Sequence, residues 1–232
     1  MPIFINSGRF GSVFSPSSLP NVVWFDPSDA ASVTEVSGAV SQINDKGAGG
    51  IHLAQATSGN RPAYTSAAVN GLNAMTFDGT DDFISSSANL TLAQPLQYFV
   101  VVKATVVTTG QIVAYSTGTG SPSLFLNGAG VMNCFAGSSI NSSTTLLTTA
   151  TSVITLTVKG ASSGFRLNGV ATAGGGTSGS VAYAGVPFGL GKNLSGGVAY
   201  FNGIICEVIA CTEVSTTIRD QCEAYLIAKW GI

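Results

Sequence analysis

Residues 203–231 read GIICEVIACTEVSTTIRDQCEAYLIAKWG, and this stretch decides the fold class. Its first part, Gly203 to Cys211, is an almost continuous apolar run rich in β-branched residues, which is typical of a long buried β-strand. Its second part carries apolar residues at the spacing of one helical face, namely Ile218, Cys222, Tyr225 and Leu226. The stretch therefore predicts a strand followed by a short amphipathic helix.

The ends of this helix also have sequence signals. Thr217 followed three residues later by Asp220 fits a loose capping box at the start. Lys229 lies in the last turn, where a cation suits the helix dipole, and Gly231 can cap the end.

The rest of the chain consists of short β-rich runs separated by Gly, Ser, Asn and Pro clusters. This pattern predicts an antiparallel sandwich or barrel. The predicted strands are Val22–Phe25, Val40–Asn44, Ile51–Gln55, Asn73–Asp78, Phe83–Ile84, Tyr98–Val107, Gln111–Tyr115, Ser123–Leu126, Val131–Phe135, Ser152–Lys159, Gly164–Asn168, Phe188–Leu190 and Gly203–Cys211. The glycine-rich tract 174–179 is either a mobile loop or a tight connection, and no Gly-Lys-Ser/Thr follows it that would make it a phosphate loop.

The charge content is low for a protein of 232 residues. Charged residues make up 9% of the chain, whereas ordinary soluble domains carry about 25%. Two interpretations remain open: a polar, uncharged surface kept soluble by hydroxyl groups, or a surface largely covered by neighbours in an assembly. The nine basic residues are scattered and the net charge is −2, which excludes nucleic acid as a partner.

No segment has the features of a signal peptide or a membrane helix. Residues 1–6 have no charged start, and the longest apolar run, Phe99 to Val107, is too short to span a bilayer. We therefore expect synthesis in a cytoplasm and no membrane partner. The four cysteines, Cys134, Cys206, Cys211 and Cys222, lack metal-type spacing; they are either buried thiols or include a disulfide at Cys206 or Cys211.

Residues 1–18 mix Gly, Ser and Phe without a clear period. They are either an edge strand of the sheet or an arm that orders against a partner, with Phe4, Phe10 and Phe14 as the docking side chains. The predicted division is an N-terminal arm or edge segment, 1–18, and one domain, 19–232.

Several local strings occur in an order that resembles a known family. They are VVWFDPSD at 22–29, VSQINDKG at 40–47, RPAY at 61–64, NGL at 70–72, MTFDGTDDF at 75–83, FRLNG at 165–169, FNGIICEV at 201–208 and EAYLIAKWG at 223–231. The set resembles the concanavalin A-like lectin/glucanase superfamily in its laminin-G-like form. The resemblance implies a two-sheet jelly-roll sandwich closed by a short helix, of the kind found in bacterial surface proteins and tailed-bacteriophage virion proteins.

The superfamily includes glycan hydrolases, and a hydrolase of this kind would need paired carboxylates. Retaining glycosidases need two about 5 Å apart, but Glu207 is alone in the last strand and Glu213 lies six positions on. His52, the only histidine, has no marked nucleophile near it in the sequence. We expect no catalytic residues, no enzyme activity and no cofactor.

Two binding chemistries remain to be weighed. Asp78 to Asp82 could be a calcium loop, but a turn in which Asp78 bonds backbone amides is favoured, so no metal site is assigned. A sugar would need an exposed aromatic ring; Trp24 and Trp230 are expected in the core, whereas Tyr115, Tyr183 and Tyr200 lie near predicted loops.

These observations favour a non-enzymatic structural protein of a phage virion, either a capsid decoration or a tail component. Its partners would be other virion proteins and itself. The alternative is an adhesion module that binds host-surface glycans.

Overall fold

The computed structural model describes residues 14–106, 110–114, 122–146, 150–192 and 199–232. The strands in these ranges are β1 (Val23–Phe25), β2 (Val33–Val36), β3 (Ala39–Ile43), β4 (Leu53–Ala54), β5 (Ala63–Val69), β6 (Leu72–Asp78), β7 (Ile84–Leu92), β8 (Leu96–Ala104), β9 (Gly110–Ala114), β10 (Ser123–Leu126), β11 (Val131–Phe135), β12 (Ser139–Thr145), β13 (Ser152–Val158), β14 (Gly164–Leu167), β15 (Val170–Ala171), β16 (Tyr183–Leu190) and β17 (Asn202–Thr212). One α-helix, α1 (Thr216–Trp230), follows β17, and short 3-10 turns occupy 16–18, 30–32, 58–60 and 160–162.

The strands form two antiparallel layers. In the first layer β17 pairs with β8 on one side and with β6 and β1 on the other; β13, β14 and β15 extend it beyond β8, and β5 extends it beyond β6. The second layer runs β2-β3-β4-β7-β16-β9-β10-β11-β12. A single pairing of Ala39 with Ala63 links the layers. The predicted all-β sandwich with one C-terminal helix is therefore confirmed.

Strand β8 shows why the core has two parts. Tyr98, Val100 and Val102 face the second layer and belong to the main core, whereas Phe99 and Val101 face outward and lie under α1. Both faces are buried, which explains the unbroken apolar sequence of this strand. The helix thus covers a second apolar core on the outside of the first layer.

Four strands, β2, β5, β12 and β15, were not predicted from the sequence, and only the first residue of β7 was predicted. They are rich in Ser, Thr, Ala and Glu, and much of β5 and β12 is exposed or half-exposed, so they lack the apolar alternation that marks a strand. The helix also begins earlier than predicted, because Ser215, and not Thr217, is its N-cap and accepts a hydrogen bond from the backbone N–H of Ile218. Gly231 caps the other end in the left-handed conformation, as predicted.

The glycine-rich tract is a tight connection. The backbone N–H of Gly175 donates to the carbonyl of Asn141, and that of Gly176 donates to the carbonyl of Ser163. A side chain at Gly174 would place its Cβ 2.3 Å from the Asn141 carbonyl oxygen, so the close approach requires glycine. No helix in the described part of the chain is both long and apolar enough to cross a lipid bilayer.

Candidate functional site

Glu207 is the one acidic residue within the apolar part of β17, and it is fully buried. The pairing of β17 with β8 shifts register between Ile205 and Glu207. This bulge places both Cys206 and Glu207 on the side of the strand that faces α1, while Ile205 and Val208 point into the main core.

The Glu207 carboxylate accepts four hydrogen bonds. The indole N–H of Trp24 donates to Oε1 over 2.8 Å, and the Tyr225 hydroxyl donates to the same oxygen over 3.2 Å. The indole N–H of Trp230 and the ammonium of Lys229 both donate to Oε2 over 2.8 Å. Both oxygens are therefore satisfied inside the protein by one residue of β1 and three of α1.

Asp26 is the second buried acid of this cluster. Its Oδ1 accepts from the Lys229 ammonium over 2.8 Å, and its Oδ2 accepts from the Lys46 ammonium over 2.9 Å. Lys46 also pairs with Asp29 over 2.8 Å, and its ammonium lies 4.3 Å from the ring centroid of Trp24. Lys229 thus bridges the two buried carboxylates, Asp26 and Glu207.

The two acids of this buried cluster have opposite pKa shifts. Burial raises the pKa of Glu207, and the nearby charge of Asp26 adds to this shift, while Lys229 opposes it. Burial also disfavours the charged form of Asp26, but hydrogen bonds from Lys229, Ser28 and Lys46 hold its pKa below the ordinary value. Glu207 has no solvent exposure, so in this arrangement its carboxylate cannot touch a polysaccharide. The hydrogen bonds and ion pairs of this cluster hold α1 against the first layer.

The members of this cluster come from segments that are far apart in the sequence, and nothing in the sequence alone joins these segments. Trp24 and Trp230 are in the core, as predicted, whereas Lys229 was predicted only to interact with the helix dipole. Glu207 itself is the residue that could have indicated this cluster from the sequence, because a lone acid in an apolar strand requires buried hydrogen-bond donors.

The Asp78–Asp82 segment forms the turn that was favoured over a calcium loop. Asp78 Oδ1 accepts from the backbone N–H groups of Thr80 and Asp81 over 2.8 and 3.3 Å, and Asp82 Oδ2 accepts from the backbone N–H of Asp78 over 3.0 Å. Carboxylate oxygens of Asp78, Asp81 and Asp82 lie within 4.8 Å of one another. Burial and the two neighbouring negative charges raise the pKa of Asp82 to about 6.

The tyrosines considered for sugar stacking have different environments. Tyr183 is buried, and its hydroxyl donates to the carbonyl of Pro122 over 2.7 Å, so it is not available to a ligand. Tyr115 lies outside the described residues. Tyr200 is half-exposed at the rim of the sandwich, where the Lys192 ammonium lies 5.2 Å from its ring centroid and 4.7 Å from that of Phe83.

The remaining candidate residues have structural partners. Nδ1 of His52 accepts a hydrogen bond from the backbone N–H of Asp45 over 3.0 Å, and the Asp45 carboxylate accepts from the backbone N–H groups of Trp24, Gly47 and Ile51. The prediction of buried thiols is confirmed, since all four cysteines are free and buried.

Of the proposed docking side chains, Phe4 and Phe10 lie outside the described residues. Phe14 is half-buried, and its ring centroid lies 6.0 Å from that of Tyr225 on α1. Residues 14–18 contain a 3-10 turn and no strand. The arm remains a prediction, with Phe14 placed at its root on the helix.

Comparison with known proteins gives a structural likeness only. No protein-family model and no curated protein matches the chain. Among solved structures, domain 4 of AbnA, a GH43 extracellular arabinanase from Geobacillus stearothermophilus, in complex with arabinotriose, superposes with a TM-score of 0.60 at 15% identity, covering 87% of this chain and 97% of that one.

Two larger proteins contain a similar domain. The binding domain of Paraclostridial Mosquitocidal Protein 1 matches with a TM-score of 0.62 at 10% identity over 92% of this chain, and Trypanosoma rangeli sialidase in complex with sialic acid matches with a TM-score of 0.61 at 12% identity over 98% of it. The chain spans 53% and 35% of their lengths, respectively. The fold is therefore a β-sandwich of the jelly-roll type that also occurs as a domain of glycoside-processing enzymes.

Proposed function

We propose that this protein is a non-enzymatic structural component of a bacteriophage virion, as a capsid decoration or a tail component, that acts through protein–protein contacts. The observation that carries the proposal is the scarcity of charge, since charged residues make up 9% of the chain. Five of the nine basic and six of the eleven acidic residues form ion pairs with one another inside the molecule.

Because these residues pair with one another, few charged side chains on the described surface remain without an ionic partner. Two of the acids, Glu207 and Glu223, are buried under or within α1, and Arg166 reaches Glu223 through a hydrogen bond of 2.8 Å to Oε1. The exposed residues of the described ranges are mainly Ala, Ser, Gly, Thr and Asn, which bury in a protein interface without the desolvation penalty of a charge. Such a surface suits a copy packed among identical neighbours in a shell or tube.

The N-terminal phenylalanines would add a docking element. Phe14 already packs on Tyr225 of α1, so the described residues begin beside this helix. Phe4 and Phe10 would then be the side chains that contact a neighbouring subunit.

The test is attachment to particles. Mass spectrometry of purified virions should detect the protein, and the purified protein should bind particles assembled without it. Phe4→Ala combined with Phe10→Ala should abolish binding and leave the melting temperature unchanged, whereas Phe14→Ala should lower that temperature because it removes an intramolecular contact. Absence of the protein from virions would overturn the proposal.

A second candidate function is the binding of host-surface glycans. It is favoured by Tyr200, a half-exposed aromatic ring at the sandwich rim, and by the structural likeness to an arabinanase domain solved with arabinotriose. A glycan array with the isolated protein tests it, and absence of binding to every sugar would remove this candidate.

A further inference from the structure

Lys192 lies against two aromatic rings at the edge of the described residues. Its ammonium lies between the rings of Phe83 and Tyr200, with centroid distances of 4.7 and 5.2 Å. Lys192 and Tyr200 are also joined by an antiparallel backbone bridge. The position of the ammonium is thus set by two rings and by the local backbone.

No carboxylate neutralises this cation. All eleven acidic residues of the sequence lie in the described ranges, and the ion pairs among those residues do not include Lys192. Lys46, Lys159 and Lys229, by contrast, each have an acidic partner within 2.9 Å. Lys192 therefore keeps N–H donors for oxygen atoms that do not come from an acidic side chain.

The acidic turn 78–82 adjoins this cation. Gly191 sits so close to it that an added Cβ would be 3.0 Å from the Asp82 carbonyl oxygen, and Phe83 directly follows Asp82. Asp78 of this turn is exposed, and its carboxylate oxygens lie within 4.8 Å of those of Asp81 and Asp82. An anionic ligand would be repelled by these carboxylates, whereas a neutral ligand with hydroxyl groups could donate to them and accept from Lys192.

We propose that Phe83, Lys192 and Tyr200 form a glycan-binding subsite for a neutral, hydroxyl-rich sugar. The proposal rests on the second candidate function and gives it a location and a ligand class. Tyr200 and Phe83 supply apolar surface for the C–H face of a sugar ring, Lys192 donates to its oxygens, and the carboxylates of the adjoining turn accept from its hydroxyl groups.

The experiment begins with an array that carries neutral, sialylated and uronic-acid glycans. The best neutral sugar is then titrated calorimetrically into the wild-type protein and into Lys192→Met and Tyr200→Ala. We expect each substitution to weaken binding about tenfold, a change of about 1.4 kcal/mol. Lys103→Met is the matched control, because Lys103 is another half-buried lysine and takes part in none of the ion pairs of the described residues; this variant should bind as the wild type does.

The possible failures are distinguishable. If the wild-type protein binds no glycan, the glycan-binding function and the subsite are both wrong. If it binds one and the two folded variants keep its affinity, the subsite is wrong and the function stands; binding restricted to acidic glycans would overturn the ligand class. Should either variant unfold, side-chain NMR resonances of Lys192 and Tyr200 in the wild type must shift on addition of sugar, and unchanged resonances would refute the subsite.

Discussion

At the scale of single residues, Glu207 shows how a charged group can be stable in an apolar layer. Its two oxygens meet two indole N–H groups, one hydroxyl and one ammonium, and Lys229 is shared with Asp26. A buried ion pair contributes little by itself because desolvation offsets the attraction, but removal of one partner leaves an uncompensated charge. The cluster is therefore sensitive to any change of a single member.

Glu207→Gln should lower the free energy of unfolding by about 3–5 kcal/mol, the range for breaking a buried pair. The substitution leaves Lys229 with one fewer carboxylate and places an amide NH₂ opposite N–H donors. Denaturant unfolding measures the change. Glu213→Gln is the control, because Glu213 pairs with the half-exposed Lys159 and its loss should amount to less than about 1 kcal/mol; equal effects would contradict the explanation.

Asp82 should make the stability of the folded protein depend on pH between about pH 4 and pH 6. Its pKa is raised to about 6 in the folded state, so the folded protein binds the proton more tightly than the unfolded chain does. This contribution to stability is present in acid and is lost as the pH rises through about 6. Asp82→Asn should flatten that part of the stability profile, measured as unfolding midpoint against pH, and an unchanged slope would refute the assignment.

At the scale of elements, the predicted bounds of a strand agree best with the observed ones where the strand is apolar and buried. β10 and β11 have the predicted bounds, and β17 extends the predicted range by one residue at each end, because their apolar residues are contiguous. β7 runs from Ile84 to Leu92, whereas only its first residue was predicted, since its middle is Ser, Ala and Asn. Local propensity does not detect strands whose pairing is determined by neighbours far away in sequence.

The start of α1 provides a test at this scale. Ser215 is the N-cap, whereas Thr217 lies inside the first turn and is exposed. Ser215→Ala should destabilise the protein by about 1 kcal/mol, as expected for loss of a cap. Thr217→Ala should have almost no effect, and thermal unfolding of the two variants decides between the observed cap and the one predicted from sequence.

At the scale of the whole molecule, the site could be predicted only in part. The sequence identified Trp24, Trp230 and the absence of a second acid near Glu207 on its strand, but it could not show that Trp24 and Glu207 meet across 183 residues. Likewise, Tyr200 and Phe83 are far apart in the chain, and the Lys192 ammonium lies near both rings. Contacts of this kind depend on topology, which local patterns do not encode.

The two-core architecture also predicts the behaviour of the thiols. Cys134 is in the main core, while Cys206, Cys211 and Cys222 lie beneath α1. Burial raises the pKa of Cys134, Cys206 and Cys211 to about 12. The native protein should therefore not react with a thiol reagent at neutral pH, and four thiols should react after denaturation. Rapid reaction of three thiols in the native state would instead indicate that α1 detaches readily.

The shared carboxylate of Glu207 has one more consequence, because it brings the two ends of the domain together. The indole nitrogens of Trp24 and Trp230 each lie 2.8 Å from an oxygen of the Glu207 carboxylate. Residues near the first and last elements of the domain are therefore close together in space. A domain with adjacent ends can be inserted into a surface loop of another protein without stretching the host. A circular permutant that joins residue 232 to residue 19 through a short linker and opens at the exposed turn 57–60 should fold, as circular dichroism and cooperative unfolding would verify.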